Sequence, residues 1–529
     1  VSDKALHARL EQASAAACRE LGIDAVTPER LNDALGNSVD PQRLLDSLAE
    51  AWRTSNDVAK KILTEHGFGA LLARLQVDAE ATGAATESFP PLSGQKHYDV
   101  ADGSIRVLGL NPAFDDAVSV ASMVHESVQT PFDAFRAQAE SDPLGVLYRK
   151  APLAYARDWL TTTGKEIAAW VQEQFGDVGP KYVVNSGIGA NEMFNYFVAS
   201  LANERNEKAP QWYLVNSPRE MANLPPDARV ENTLFMEFSR SGITEETVKL
   251  HECTPANAKR IVFSNSGTLR ELGVRDGNLV LELPSEVSGR YGRNKTPILM
   301  APMFVCGMDV DAYWQHIEAA AQSFDLTKPD ALPAVMAKFI RLQQLHRGVN
   351  HIYLGSNDER LRFAADEFCQ YWNEGVNRDG NDITMSRYLG LPRDSHMNLE
   401  AILGTAEHKL AIFLLRTGEF AGHDMLLPQA HPLDPDHKGL SPADVDTILA
   451  LANIQRCSEK MPTLVIAVRE PDLQASAWLG QLWADTTLVY SRLIGVDPGN
   501  NPEVKAVRTR AAGWLADKSA AMELLGGFQ

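Results

Sequence analysis

The run Phe238-Ser239-Arg240-Ser241-Gly242-Ile243-Thr244-Glu245-Glu246-Thr247 sets hydroxyls, a guanidinium and a glycine where an apolar stretch gives way to helical spacing. Backbone N–H groups at a helix start, hydroxyl donors and an arginine together form a cradle for a phosphate-type anion. Helix capping accounts for one hydroxyl, but not for an arginine set among several. Three further segments carry groups able to do chemistry. Asn185-Ser186-Gly187-Ile188-Gly189-Ala190-Asn191 has glycines for a tight turn or for close backbone approach to a ligand. Glu286-Val287-Ser288-Gly289-Arg290-Tyr291 places an arginine in a loop. Gln370 and Glu374 lie four apart, hence on one helix face, where a partly desolvated carboxylate can serve as a general base.

Strands and helices are needed to aim these groups. From residue 181, β-rich runs at Tyr182–Val184, Trp212–Val215, Leu234–Phe238, Arg260–Phe263 and Leu279–Leu283 alternate with helical stretches. Crossovers of that length predict a parallel sheet covered on both faces. After a helical segment of about Asp311–Arg347, a second set follows at His351–Leu354, Asp382–Met385, Leu410–Leu415 and Leu464–Val468. The expected fold class is α/β, with two doubly wound units and ligands at the carboxyl ends of their strands. Residues 1–78 have apolar positions at helical spacing, among them Leu44, Leu48, Trp52, Val58 and Ile62. Ala81–Gln95 reads as a connector, and helix is expected around Asp116–Gln138 and Ala151–Phe175. The expected divisions are a helical N-terminal region at 1–150 packing on the core, α/β units at 151–310 and 311–505, and a C-terminal helix at 506–529.

Taken in order, the chemical segments resemble the phosphoglucose isomerase family of the sugar isomerase (SIS) superfamily. Residues 239–247 resemble its Ser-x-Ser-Gly-x-Thr-x-Glu-Thr pattern. Residues 187–191 resemble a Gly-Ile-Gly-Gly-Ser turn, with Ala190 and Asn191 in the last two places. Residues 288–292 resemble Gly-Gly-Arg-Phe/Tyr-Ser, with Ser288 and Gly292 as departures. Gln370-x-x-x-Glu374 is similar to the segment holding the family's catalytic glutamate, and His396 stands where the family has Gln-His-Ser/Ala-Phe. The segment 493–508 resembles the C-terminal signature, with Gly499 at its aromatic, Asn501 at its Gln, Glu503 at its Gly, Lys505 at its Glu and Arg508 at its Lys. Arginine keeps the charge but is a poorer proton donor than lysine.

The resemblance runs over roughly residues 181–515. It implies two SIS domains, each an α-β-α sandwich, and reversible isomerisation of glucose 6-phosphate and fructose 6-phosphate through an enediol, without metal or cofactor, as in glycolysis and gluconeogenesis. By the same resemblance Ser239, Arg240, Ser241 and Thr244 hold the C6 anion, while Gly187, Gly189, Ala190, Asn191, Gly289, Gln370 and Asn501 line the sugar. His396 with Arg508 opens the ring, Glu374 moves the proton and Arg290 stabilises the enediolate. A homodimer is implied too, with His396 contributed across the interface. The departures leave room for another C6-anionic sugar, such as a sulfonated hexose. A non-catalytic sugar-phosphate sensor is the alternative from a different class, and it would need neither Glu374 nor His396.

Composition bounds these readings. With 529 residues, more than one hydrophobic core is expected. At 44% hydrophobic and 22% charged, the chain reads as an ordinary soluble protein, for which the cytoplasm is the expected compartment. Its 50 Lys and Arg against 69 Asp and Glu give a formal charge of −19, which argues against nucleic acid or an anionic membrane as partner. A small anionic ligand therefore needs a local positive pocket. The five scattered cysteines form no CxxC pair and are expected to be reduced core residues. His423, Asp424, His431 and Asp434 crowd the Gly422–Lys438 stretch, but their spacing matches no metal-ligand pattern.

Overall fold

A computed structural model of the chain describes residues 97–109, 126–138, 148–149, 153–155, 159, 162–205, 209–285, 289–292, 295–377, 381, 383–391, 394–418, 442–499 and 502–527. The helical reading of 1–78, the connector and the Gly422–Lys438 stretch lie outside these residues. Both sheets belong to one compact unit, Gln95–Glu419 with Asp446–Gln529.

The described chain begins with a hairpin that the strand pattern above did not include. Strands β1 (His97–Val100) and β2 (Ile105–Gly109) are joined through Ala101, Asp102 and Gly103, all at positive φ. Such a turn matches the twist of the flanking strands, and Asp-Gly between alternating apolar residues is its sequence signal. Helices α1 (Glu126–Gln138) and α2 (Thr163–Phe175) follow.

The first sheet consists of β3 (Tyr182–Ser186), β4 (Gln211–Val215), β5 (Thr233–Phe238), β6 (Lys259–Phe263) and β7 (Leu279–Leu281), in the order β4-β3-β5-β6-β7 and parallel throughout. All of β3 and β5 is buried, as a strand covered on both faces requires. Helices α3 (Asn195–Arg205), α4 (Glu245–Cys253) and α5 (Gly267–Arg275) are among its crossovers. Strand order reverses at β3 and β5, where Ser186 stands opposite Glu237, so the loops leaving these strands flank the topological switch point.

Two helices, α6 (Val310–Ser323) and α7 (Leu332–Arg347), occupy the stretch read as one. The break carries Pro329, and Pro333 sits in the first turn of α7, where its missing N–H is tolerated. The second sheet has the order β1-β2-β11-β10-β8-β9, with β8 (His351–Ser356), β9 (Thr384–Gly390), β10 (Lys409–Arg416) and β11 (Thr463–Val468) parallel. It is mixed rather than wholly parallel, because β2 pairs antiparallel with β11 and buries Ile105 and Val107. Helix α8 (Glu359–Val376) follows β8 and starts at Asp358, whose carboxylate accepts from the N–H groups of Arg360 and Leu361. Helix α9 (Ser395–Leu403) follows β9. The long α10 (Leu473–Leu493), buried from Ala475 to Ser491, packs against α6, α7 and α8, and α11 (Pro502–Ala516) comes after it. Cys306 and Cys457 are core residues as expected, but Cys253 is exposed. Among the described residues no helix is long and apolar enough to cross a membrane.

Candidate active site

At the carboxyl end of β5, Ser239 is buried, with Oγ 2.8 Å from Thr244 Oγ1. Thr244 immediately precedes α4, yet its side chain makes no capping bond; the hydroxyl is engaged with Ser239 instead. Arg240 and Ser241 are exposed. The loop is held from behind by the loop after β6 and the first turn of α5: Asn265 N donates to Arg240 O at 3.0 Å, Ser266 Oγ to Ser241 O at 3.2 Å and Leu269 N to Gly242 O at 2.9 Å. Gly242, at φ +66°, lies so close to this neighbour that a Cβ there would stand 1.6 Å from Ser266 O. The two loops therefore interlock, and the anion loop has little freedom of its own.

Glu374 sits near the carboxyl end of α8, one turn beyond Gln370, as their spacing predicts. Gln370 Nε2 donates to Glu374 Oε1 at 2.9 Å, and Arg290 Nη2 donates to Glu374 Oε2 at 2.5 Å. The Arg290 side chain is 6% exposed and that of Glu374 31%. The second fork of Arg290, Nη1, donates to the Pro498 carbonyl at 2.6 Å. Burial pushes the Glu374 carboxyl up, but the Arg290 charge, the Gln370 and Arg290 hydrogen bonds and the Arg508 charge together outweigh it and hold the pKa below its ordinary value. A Cβ on Gly189 would lie 3.3 Å from Gln370 Nε2. The β3 loop thus touches the carboxylate's hydrogen-bond partner on one side, while on the other its strand pairs with the one that carries the anion loop.

The remaining expected residues take the following places. Gly187 is buried directly after β3, and Ala190 and Asn191 open the short helix Ala190–Met193. Gly289 begins the helical turn Gly289–Gly292 that carries Arg290. His396 lies in the first turn of α9, and Asn501 falls outside the described residues. Arg508 is exposed on α11, and its field reaches Glu374. At Gly499, where the resemblance has an aromatic, a Cβ would stand 1.9 Å from Tyr148 Oη. The Tyr148 ring stacks on Tyr291 with centroids 4.4 Å apart, so an aromatic from another part of the chain fills that space.

Two positioning groups were not singled out in the sequence. One is the Pro498 carbonyl. The other is Tyr371, whose hydroxyl donates to the Arg290 backbone carbonyl at 3.0 Å and so ties the arginine to the helix of the carboxylate. Its signal was its place within the Gln370–Glu374 segment. Tyr371→Phe is expected to lower stability by about 1 kcal/mol, the usual worth of such a bond. Urea unfolding measures the loss, and turnover is expected to fall more than KM rises.

No family profile matches the chain. It is 26% identical over 280 residues to a glucose-6-phosphate isomerase of Carboxydothermus hydrogenoformans, a match covering 47% of this chain and 59% of that relative. It is 21% identical over 340 residues to a glucose-6-phosphate isomerase of Bacillus cytotoxicus, covering 60% of this chain and 74% of that one. Among solved structures, a glucose-6-phosphate isomerase from Chlamydia trachomatis superposes with a TM-score of 0.55 at 14% identity, covering 79% of this chain and 97% of the other. The chain is distantly similar in sequence to glucose-6-phosphate isomerases and shares the fold of one of them. The chain spans about three fifths of the length of the Carboxydothermus relative. A hypothetical protein of Thermus thermophilus has the same fold, with a TM-score of 0.61 at 20% identity over 77% of this chain and 98% of that one.

Proposed function

We propose that this protein is a sugar-phosphate isomerase interconverting glucose 6-phosphate and fructose 6-phosphate. The observation that carries the reading is the carboxylate of Glu374, partly buried and fixed between Gln370 and Arg290. The Ser239–Thr244 loop holds the C6 phosphate with Arg240 at its edge, so that binding energy at a remote anion orients C1 and C2 against the base. His396 and Arg508 open the ring. Glu374 takes the C2 proton and returns it to C1, and Arg290 stabilises the enediolate. In this structure Arg290 Nη2 donates to Glu374. During the reaction the developing enediolate oxygen competes for that donor, which strengthens Glu374 as a base when it must accept a proton. The assembly is a homodimer, with His396 supplied by the neighbouring subunit, and the reaction needs no metal.

Conversion of fructose 6-phosphate to glucose 6-phosphate, read through a coupled dehydrogenase in chelator-containing buffer, tests this directly. Arg240→Ala is expected to raise KM roughly ten- to a hundredfold, the effect of losing a hydrogen bond to a charged group, with a smaller change in kcat. An unchanged KM would remove Arg240 from the anion site. The filled space at Gly499 and the arginine at 508 alter the segment beside the base, which favours a second reading with another C6-anionic hexose as substrate. Turnover of a hexose 6-sulfonate without turnover of the phosphate would select it. Binding with no turnover of either would select a sensor.

A further inference from the structure

Beneath the anion loop lies a buried charged network that the proposed reaction does not use. Glu237 is on β5, two residues before Ser239, and His251 is on α4, the helix that leaves the loop. His251 Nδ1 is 2.6 Å from Glu237 Oε2, and His251 Nε2 is 3.1 Å from Asp276 Oδ2. The His251 and Glu237 side chains are 1% and 2% exposed. Asp276 directly follows α5 and is paired on its outer side by Arg275. Arg260, on β6 and fully buried, lies 3.5 Å from Glu237 Oε1 and donates to the carbonyls of Thr254 and Pro255, just past α4. The four elements joined in this way, β5, α4, β6 and α5, are the four that enter and leave the two interlocked loops.

An imidazole with a carboxylate at each ring nitrogen is satisfied only as imidazolium, donating on both sides. The neutral ring donates once and turns a lone pair toward the other carboxylate. We infer that protonated His251 is a positioning residue for the anion loop, holding β5, α4 and α5 in the register that aims the Ser239–Thr244 donors, so that anion affinity falls when this proton is lost. The inference rests on the anion-binding role of that loop and not on isomerisation. Burial pulls the His251 pKa down, but Glu237 and Asp276 outweigh it against the opposing charge of Arg260, and the net direction is upward. The transition therefore lies above the ordinary histidine value of about 6.5. A pKa raised in the folded state also contributes stability that is full below about 6.5 and is lost as pH rises through the folded value. On α4 itself, Lys249 and Glu252 pair with each other.

Sulfate tests the inference, because it stays a dianion across the working pH range. Its affinity for the full chain, measured by calorimetry from pH 6 to 10, is expected to fall about fivefold or more, the lower range of coupling between two sites. The midpoint should coincide with that of the His251 ring followed by NMR, and saturating sulfate should raise the NMR midpoint by the reciprocal factor. Asp276→Asn keeps a carbonyl acceptor but removes the charge, so both midpoints should move together to lower pH. His251→Gln should abolish the pH dependence; if it does not fold, Asp276→Asn still decides. Arg240→Ala must weaken the same binding, which identifies the site being measured. Sulfate affinity that ignores the His251 titration, or an Asp276→Asn variant that moves the NMR midpoint alone, overturns the role of His251 and leaves the anion loop standing. Absence of sulfate binding at every pH overturns the loop and the inference with it.

Discussion

Glu374→Gln is expected to reduce turnover of fructose 6-phosphate by roughly a hundred- to ten-thousand-fold, the range attributable to a positioned general base. The amide keeps the size of the carboxylate and can still accept from Gln370 or Arg290, whose contacts with Glu374 are 2.9 and 2.5 Å. Binding should therefore survive while proton transfer does not. Arg290 loses a charged partner at a position where it is nearly buried, and a cost of about 1 to 3 kcal/mol in stability accompanies the change. A direct titration of sugar phosphate on the variant separates the two effects: normal affinity with lost turnover supports the base, and full turnover would sink the assignment. The pH dependence has a defined sign. Glu374 is held below the ordinary glutamate value, so the acidic limb of kcat/KM should lie below about 4.3. In a variant at Arg290 that limb should move up, because desolvation then acts with less opposition.

Gly242→Ala is the second large effect. At φ +66° an L side chain is strained by about 1 to 2 kcal/mol, and its Cβ would also stand 1.6 Å from Ser266 O and 2.8 Å from Ser264 Oγ. The two interlocked loops must part to admit it. KM and sulfate affinity should worsen more than tenfold, since separation of the loops breaks the bonds that hold Arg240 and Ser241 in place. Gly277→Ala is the control. It has a similar φ of +70° but meets no atom within 4 Å, so it carries the backbone strain alone. Equal thermal destabilisation of the two variants, with anion binding unaffected in both, would show that the close contact at Gly242 has no bearing on the site.

Much of the architecture was legible in the sequence because it depends on local periodicity. The runs from Tyr182 to Leu281 and from His351 to Val468 fall on strands, except that the run at Asp382–Met385 meets β9 only from Thr384 onward, and Gln370 and Glu374 share a helix face as their spacing requires. The β1–β2 hairpin escaped, although Asp102-Gly103 between alternating apolar residues was its signal; the strands are short and precede the region where the alternation becomes regular. The stretch read as one helix from Asp311 to Arg347 is two, because apolar residues recur on both sides of the break at Pro329 and the pattern alone does not mark it.

The candidate site divides along the same line. Residue types and their order along the chain singled out Ser239, Arg240, Thr244, Arg290, Gln370 and Glu374, since each follows a strand or shares a turn with its partner. Only the tertiary structure decided that Arg290 reaches Glu374, 84 residues away, and that Pro498 and Tyr371 hold the arginine there. It also decided that Tyr148 fills the space beside Gly499, and that His251 meets Glu237 and Asp276. Hydrophobic period and turn chemistry act over a few residues and can be read one segment at a time. A hydrogen bond between distant segments depends on strand order, register and the packing of α8 and α10, which are set by all the elements together.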